Sequence, residues 1–326
     1  MKRLVGVAAV LAIAAAVLFL VPSDHYLFVP DPARPVDPLV RVPDERADGG
    51  KEGGVYMVDI LVRKANLLER LFPSLEDGAT LVPGEQFNPT GTSDTQRRRE
   101  SLNQMSRSQE IAVTVALRNL GYDVEVDEQG AEVASVIPDT PAEGNLEAGD
   151  VIVEARGRAV RTRDELLQIM EPVRPGQQVT LELLRGEKRT PVRLGTRAAE
   201  DDPKRAVFGI VVVQAAEFRF PIDIEIDAGD IGGPSAGLAF ALDVVDEVGE
   251  DVDRGRRIAV TGTLDLDGAV GPIGGIKQKT IGARQADADL FLVPDDNAAE
   301  ARRHANGLRI VAVSTFREAL SHLTTK

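Results

Sequence analysis

Ser235 stands in the run Gly232-Gly233-Pro234-Ser235-Ala236-Gly237. A serine hydroxyl becomes a nucleophile only when a neighbouring base takes its proton. The usual base is histidine, yet the chain holds only His25, His304 and His322, all close to the ends of the sequence. Lysine is the known alternative, and Lys277 and Lys279 stand together in Gly274-Gly275-Ile276-Lys277-Gln278-Lys279. The chemistry in prospect is acyl transfer through a covalent serine, with a neutral lysine as base. Such a lysine must be buried, because its pKa has to fall from ~10.4 towards ~7–8.

The flanking patterns say what positions the serine. Upstream, Phe218, Phe220, Ile222, Ile224 and Ile226 alternate with polar residues and Pro221, the period of a half-buried strand. Downstream, Leu238, Leu242 and Val245 recur at helical spacing. The glycine turn therefore joins a strand to a helix, and Pro234 suits the first helical position because it has no amide hydrogen to leave unpaired. Ser235 falls in the first helical turn, where unpaired amides and the positive dipole end favour an oxyanion. The amides of Gly232, Gly233 and Ser235 are the candidates for that hole. Taken alone, the same turn also fits a purely structural junction.

Three motifs in order reach further: Gly-Pro-Ser-Ala-Gly at 233–237, Val260-Thr261-Gly262, and Gly-Gly-Ile-Lys-Gln-Lys at 274–279. Together they resemble the proteolytic domain of the Lon protease family. The resemblance implies a catalytic dyad of Ser235 and Lys279, 44 residues apart, and gives the Thr261 hydroxyl the task of hydrogen-bonding and orienting the lysine. It also implies a tendency to form homo-oligomeric rings. Many Lon proteases carry an acidic residue where this chain has Gly232, and Asp230 is a candidate substitute. Helical geometry selects the same lysine, since residues two apart point to nearly opposite sides. Lys279 shares the more apolar side with Ile276, Ala283, Ala286 and Leu290, whereas Lys277 lies with Ile281 and Arg284.

Composition removes other classes. The 326 residues carry 52 acidic and 38 basic side chains, a net charge of −14, which argues against a basic nucleic-acid-binding face. The absence of cysteine excludes disulfides, a thiol nucleophile and thiolate metal sites. The histidines lack metal-ligand spacing and no dinucleotide fingerprint is present, so neither metal nor cofactor is expected.

The chain reads as a multidomain protein. Lys2 and Arg3 precede an unbroken apolar run over 4–21, long enough for a membrane helix with its basic end on the cytoplasmic side. Residues 1–22 are thus expected as a transmembrane anchor with everything after them outside the cytoplasm; the rival reading is a cleaved secretory signal. Pro- and Gly-rich residues 23–54 read as an extended tether, and 55–120 as a membrane-proximal region of unknown role, with a strand over 55–62 and helices near 67–71 and 108–120. Short strands over 121–197, with Pro141-Ala142, Gly144, Leu146 and Gly149-Asp150-Val151-Ile152 at the usual spacing, resemble a PDZ domain. That implies binding of a peptide as an added strand, with Leu120-Gly121-Tyr122 the candidate carboxylate-binding loop. Thr162 to Glu165 reads as a capping box for a helix through Met170. Residues 205–326 alternate strands and helices, an α/β or α+β proteolytic domain.

No Gly-x-x-x-x-Gly-Lys-Ser/Thr run occurs. The expectation is an ATP-independent serine endopeptidase acting on peptides or unstructured protein segments outside the cytoplasm. The alternative is a catalytically silent, membrane-anchored PDZ peptide-binding or scaffold protein.

Overall fold

The computed structural model describes residues 16, 18–42, 53–88, 94–186, 188–199, 202–249 and 251–324. The chain divides into two compact units. One comprises Met1–Ser93, Ser101–Asp123 and Pro221–Lys326, the other Asp94–Glu100 and Val124–Phe220.

In chain order the first unit begins with β1 (Pro22–Pro30), β2 (Arg34–Pro35), β3 (Val40–Arg41), β4 (Gly54–Met57) and β5 (Ile60–Asn66). Then come α1 (Leu67–Leu71), β6 (Thr80–Pro83) and α2 (Gly84–Phe87), and α3 (Asp94–Asn119) runs on from the second unit. The second unit holds β7 (Glu125–Val136), β8 (Val151–Ala155), β9 (Arg158–Ala159), α4 (Arg163–Met170), β10 (Gln178–Arg185), β11 (Lys188–Gly195), β12 (Arg197–Ala198), β13 (Ala206–Val207) and β14 (Ile210–Arg219). The chain returns to the first unit with β15 (Glu225–Ile226), α5 (Gly237–Val248), β16 (Arg257–Val260), β17 (Thr263–Leu264) and β18 (Val270–Gly271). It ends with α6 (Ile276–Gln285), β19 (Leu290–Pro294), α7 (Asp295–His304), β20 (Arg309–Val313) and α8 (Phe316–Thr324).

The first unit is built on a five-stranded sheet of order β2-β4-β16-β19-β20, parallel except for β2. Parallel strands covered on both faces read as continuous apolar runs, and β19 is buried along its whole length. Ala259, Phe291 and Val293 pack with Ile276, Ala283, Ala298 and Ala301 from α6 and α7. Helix α5 is buried over Gly237 to Val245, as expected of a helix that is apolar nearly all round. A second sheet pairs β1 antiparallel with β5 and β6.

The tether expected over 23–54 is therefore a correction across its described part. Residues 22–41 supply β1, β2 and β3, with Leu27, Val36 and Val40 fully buried. Pro30 and Pro35 end strands β1 and β2, and Pro38 lies in the 3-10 turn Asp37–Leu39. The region of unknown role contributes β4 to the middle of the parallel sheet. Its single expected strand is two, β4 and β5, broken at Val58-Asp59. The helix expected from Ser108 begins at Asp94, and α1 matches its expected bounds, closed by a capping box of Asn66 and Glu69.

Most of the apolar run 4–21 lies outside the described residues, and no helix among the described residues is long and apolar enough to cross a membrane.

The second unit is a sheet of order β11-β10-β8-β7-β14 with β9 paired to β8. Leu166, Ile169 and Met170 of α4 join the same core as Ile152, Leu181 and Leu183. Thr162 caps α4 by accepting from the Glu165 amide at 3.1 Å. Glu165 itself reaches the Arg161 amide rather than that of Thr162. The strand expected to lead through Phe218 to Ile226 ends at Arg219, since β14 pairs along its length with β7 and Pro221 interrupts the ladder. Leu120-Gly121-Tyr122 is the turn that closes α3, within the first unit.

One packing contact tests the corrected role of residues 31–33. Ala33 donates to the Gly282 carbonyl at 3.2 Å, and a Cβ at Gly282 would collide with the Asp31 carbonyl oxygen. Backbone cannot retreat as a side chain does, so Gly282→Ala should cost about 1–3 kcal/mol. Chemical denaturation would show it as a lower midpoint; an unchanged midpoint would mean that this segment does not pack on α6.

Candidate active site

The break between β4 and β5 leaves the Val58 carbonyl free of the strand ladder, and Lys279 fills it. The Lys279 Nζ donates to Val58 O and, at 3.1 Å, to Ser235 Oγ. It lies on the inward side of α6, 3% exposed. Burial lowers its pKa to about 8, against a smaller upward pull from the Asp59 carboxylate. Lys277, two residues earlier, instead donates to Ala79 O at 3.2 Å and Thr80 Oγ1 at 3.3 Å.

Ser235 lies in a 3-10 turn, Pro234–Ala236, directly before α5. Pro234 takes an N-terminal position, and Gly233 enters the turn at φ 89°, a conformation that favours glycine. The turn is fastened from three sides. Thr261 Oγ1 donates to the Ser235 carbonyl at 3.2 Å and the Gly262 amide donates to the same oxygen at 2.9 Å. Ser108 Oγ of α3 donates to Pro234 O at 3.1 Å.

Two placements differ from expectation. The fully buried Thr261 hydroxyl holds the backbone of the serine turn rather than the lysine amine, because strand β16 ends below that turn. The Gly233 amide, one of three oxyanion candidates, donates to the Ser101 carbonyl of α3 at 2.8 Å. Gly232 lies against the same serine, whose Oγ occupies the space a Cβ would need. Sequence reasoning missed Val58, Asp59, Ser101 and Ser108. All four lie far from the motifs in sequence, and a backbone carbonyl leaves no side-chain signature.

One carboxylate cluster among the described residues has metal-like proximity. Asp246, in the last turn of α5, and Asp251 and Asp253 beyond it bring oxygens within 4.8 Å of one another. Asp246 already accepts from the Val252 and Asp253 amides, which accounts for it without an ion.

Residues 119–196 match the family model of the PDZ domain, and residues 212–326 that of the Lon protease (S16) C-terminal proteolytic domain. The chain thus carries a segment matched to a PDZ domain followed by one matched to the Lon-type proteolytic domain. The start of the latter match overlaps β14, which belongs to the sheet of the second unit. Lon protease 2 of Bacillus subtilis is 35% identical over 105 residues, 32% of this chain and 18% of that protein. Lon protease of Rickettsia bellii is 31% identical over 169 residues, 46% of this chain and 21% of that one. The chain therefore spans about a fifth of the length of these relatives. Among solved structures, the PDZ domain of an SdrC-like protein from Listeria monocytogenes is 28% identical, covering 26% of this chain and 88% of its own, with a TM-score of 0.25.

The buried amine carries a measurable signature. An unfolded lysine titrates near its ordinary value of 10.5, the folded one near 8. Below pH 8 both states are charged and the burial penalty is fully present. Between about 8 and 10.5 the unfolded state binds the extra proton, so folding stability rises with pH. Relative to Lys279→Met, the native chain should gain on the order of 3 kcal/mol from pH 7 to 10.5. Parallel denaturation curves at the two pH values would read it, and equal differences at both would show that the lysine is not desolvated.

Proposed function

We propose that this chain is a serine endopeptidase with Ser235 as nucleophile and Lys279 as general base. It cleaves peptides or unstructured protein segments without ATP. The observation that carries the reading is the 3.1 Å contact between Ser235 Oγ and a buried amine whose pKa burial lowers to about 8. The Lon-type family match over 212–326 supports it.

Neutral Lys279 takes the Ser235 proton as Oγ bonds to the carbonyl carbon of the substrate. The carbonyl electron pair moves to oxygen, where the Gly232 and Ser235 amides are the candidate donors. Collapse breaks the C–N bond, and the Lys279 ammonium returns its proton to the departing amine. Water then repeats the sequence on the acyl-enzyme. A role for Thr261 in this scheme is to fix the serine turn, through the bond to the Ser235 carbonyl.

The apolar run 4–21 after Lys2-Arg3 supports attachment to a membrane with the proteolytic unit on the extracytoplasmic side. The PDZ domain is suited to recruit substrate tails or to gate access. Lack of a P-loop in the chain supports action on segments that need no unfolding. A second reading, a catalytically silent peptide-binding protein, has one observation in its favour: the Gly233 amide is spent on Ser101.

Cleavage of an unfolded protein by the full chain in detergent, without nucleotide, separates the two. Activity should rise with pH through a midpoint near 8 and should vanish in Ser235→Ala and Lys279→Ala that keep their far-ultraviolet spectrum. Activity indifferent to either substitution would remove the dyad. Peptide binding without turnover in any form would favour the silent protein. Retention of the chain in the membrane pellet after alkaline carbonate tests the anchor.

A further inference from the structure

Lys279 spends its visible hydrogen bonds on Val58 O and Ser235 Oγ. As an ammonium, the form it takes once Ser235 has given up its proton, it carries three donors. The residue after Val58 is Asp59, placed in the same break between β4 and β5. One of its oxygens, Oδ2, is held by Arg34. The other, Oδ1, is buried with no hydrogen-bond partner. An orphaned buried carboxylate oxygen destabilises the fold, so its retention beside an amine that becomes charged during turnover calls for a reason.

We propose that Asp59 is a positioning residue of the dyad: it fixes the Val58 carbonyl on Lys279 and stabilises the ammonium that forms when Ser235 attacks. The inference rests on the Ser235–Lys279 reading. It adds a residue outside the segment matched to the Lon-type domain, which begins at 212. The logic is that of the buried carboxylate behind a catalytic histidine, which does not itself take the proton but favours the charged base. Asp59 is the charged group that acts on Lys279, pulling its pKa upward against burial. The charges around Asp59 itself come from two neighbours. Arg34 bonds to it and stands 3.7 Å from Asp31. Asp31 lies near it, its carboxyl pushed up by burial first and then by the Asp59 charge. Arg34 thereby holds the carboxylate through Oδ2, with Oδ1 left over.

The test is the pH dependence of peptide cleavage by the full chain. Asp59→Asn removes the anion and keeps the shape. The rising limb should move to lower pH by at least about half a unit, because the lysine loses what favours its proton. The plateau rate should fall ten-fold or more, because the ammonium is no longer stabilised. Arg34→Met acts with the opposite sign. It frees the carboxylate from the cation that partners it, so its pull on the ammonium grows and the limb should move to higher pH. Asp59→Glu should recover part of the plateau. A residue that only supports the fold would lower the rate and leave the midpoint where it was, and that result would overturn the proposal. If Asp59→Asn does not fold, Arg34→Met alone decides: a midpoint unmoved or lowered refutes the role. Lys279→Ala and Ser235→Ala run alongside. Should either retain native turnover, the dyad itself falls. Should both be inactive while neither the Asp59 nor the Arg34 variant moves the midpoint, the dyad stands and Asp59 has no part in it.

Discussion

Burying an amine is one of the costlier things a fold can do, and the first unit is arranged around that expense at Lys279. An ammonium removed from water destabilises the folded state unless it is paired or surrenders its proton. Here it is 3% exposed, with two oxygen partners, Val58 O and Ser235 Oγ. The compromise is a lysine whose pKa stands near 8. That state serves little structural purpose, yet it is the one a general base requires. Stability given up at this position is the trade expected of a site shaped for chemistry.

The two partners of the amine are held by different means. Val58 is fixed because the chain breaks between β4, which lies parallel to β16 in the central sheet, and β5, which pairs antiparallel with β1. A strand crossing from one sheet to another must leave a carbonyl outside both ladders, and that carbonyl is the one on Lys279. Ser235 is fixed because Thr261, Gly262 and Ser108 converge on two successive carbonyls of its turn. The proposed nucleophile and base therefore belong to one rigid sheet-and-helix frame. Residues 22–42 and 53–66, far from the motifs in sequence, are as much a part of that frame as the segment with the family match.

Much of the frame was legible beforehand because its signals are local. Helix α1 follows its expected bounds, and strands alternate with helices over 257–324 as expected, since apolar period and capping residues act over a few positions. The inward choice of Lys279 over Lys277 follows from helical geometry alone. Elements that depend on distant pairing were misread. Prolines around 30–38 suggested a tether, because composition is blind to the β5 and β6 partners that recruit β1. The strand assigned to 218–226 ended early, because β14 belongs with β7.

The division has a physical origin. Residue types and their spacing named Ser235 and Lys279, since a hydroxyl and a buried amine on two helical turns follow from side-chain chemistry and short-range periodicity. Which carbonyl receives the lysine, where the Thr261 hydroxyl points, and whose carbonyl the Gly233 amide meets are questions about groups brought together from Val58, Ser235 and Ser101. Backbone carbonyls and amides are the same in every residue. Their partners carry no mark in the sequence and are settled only when the sheets close.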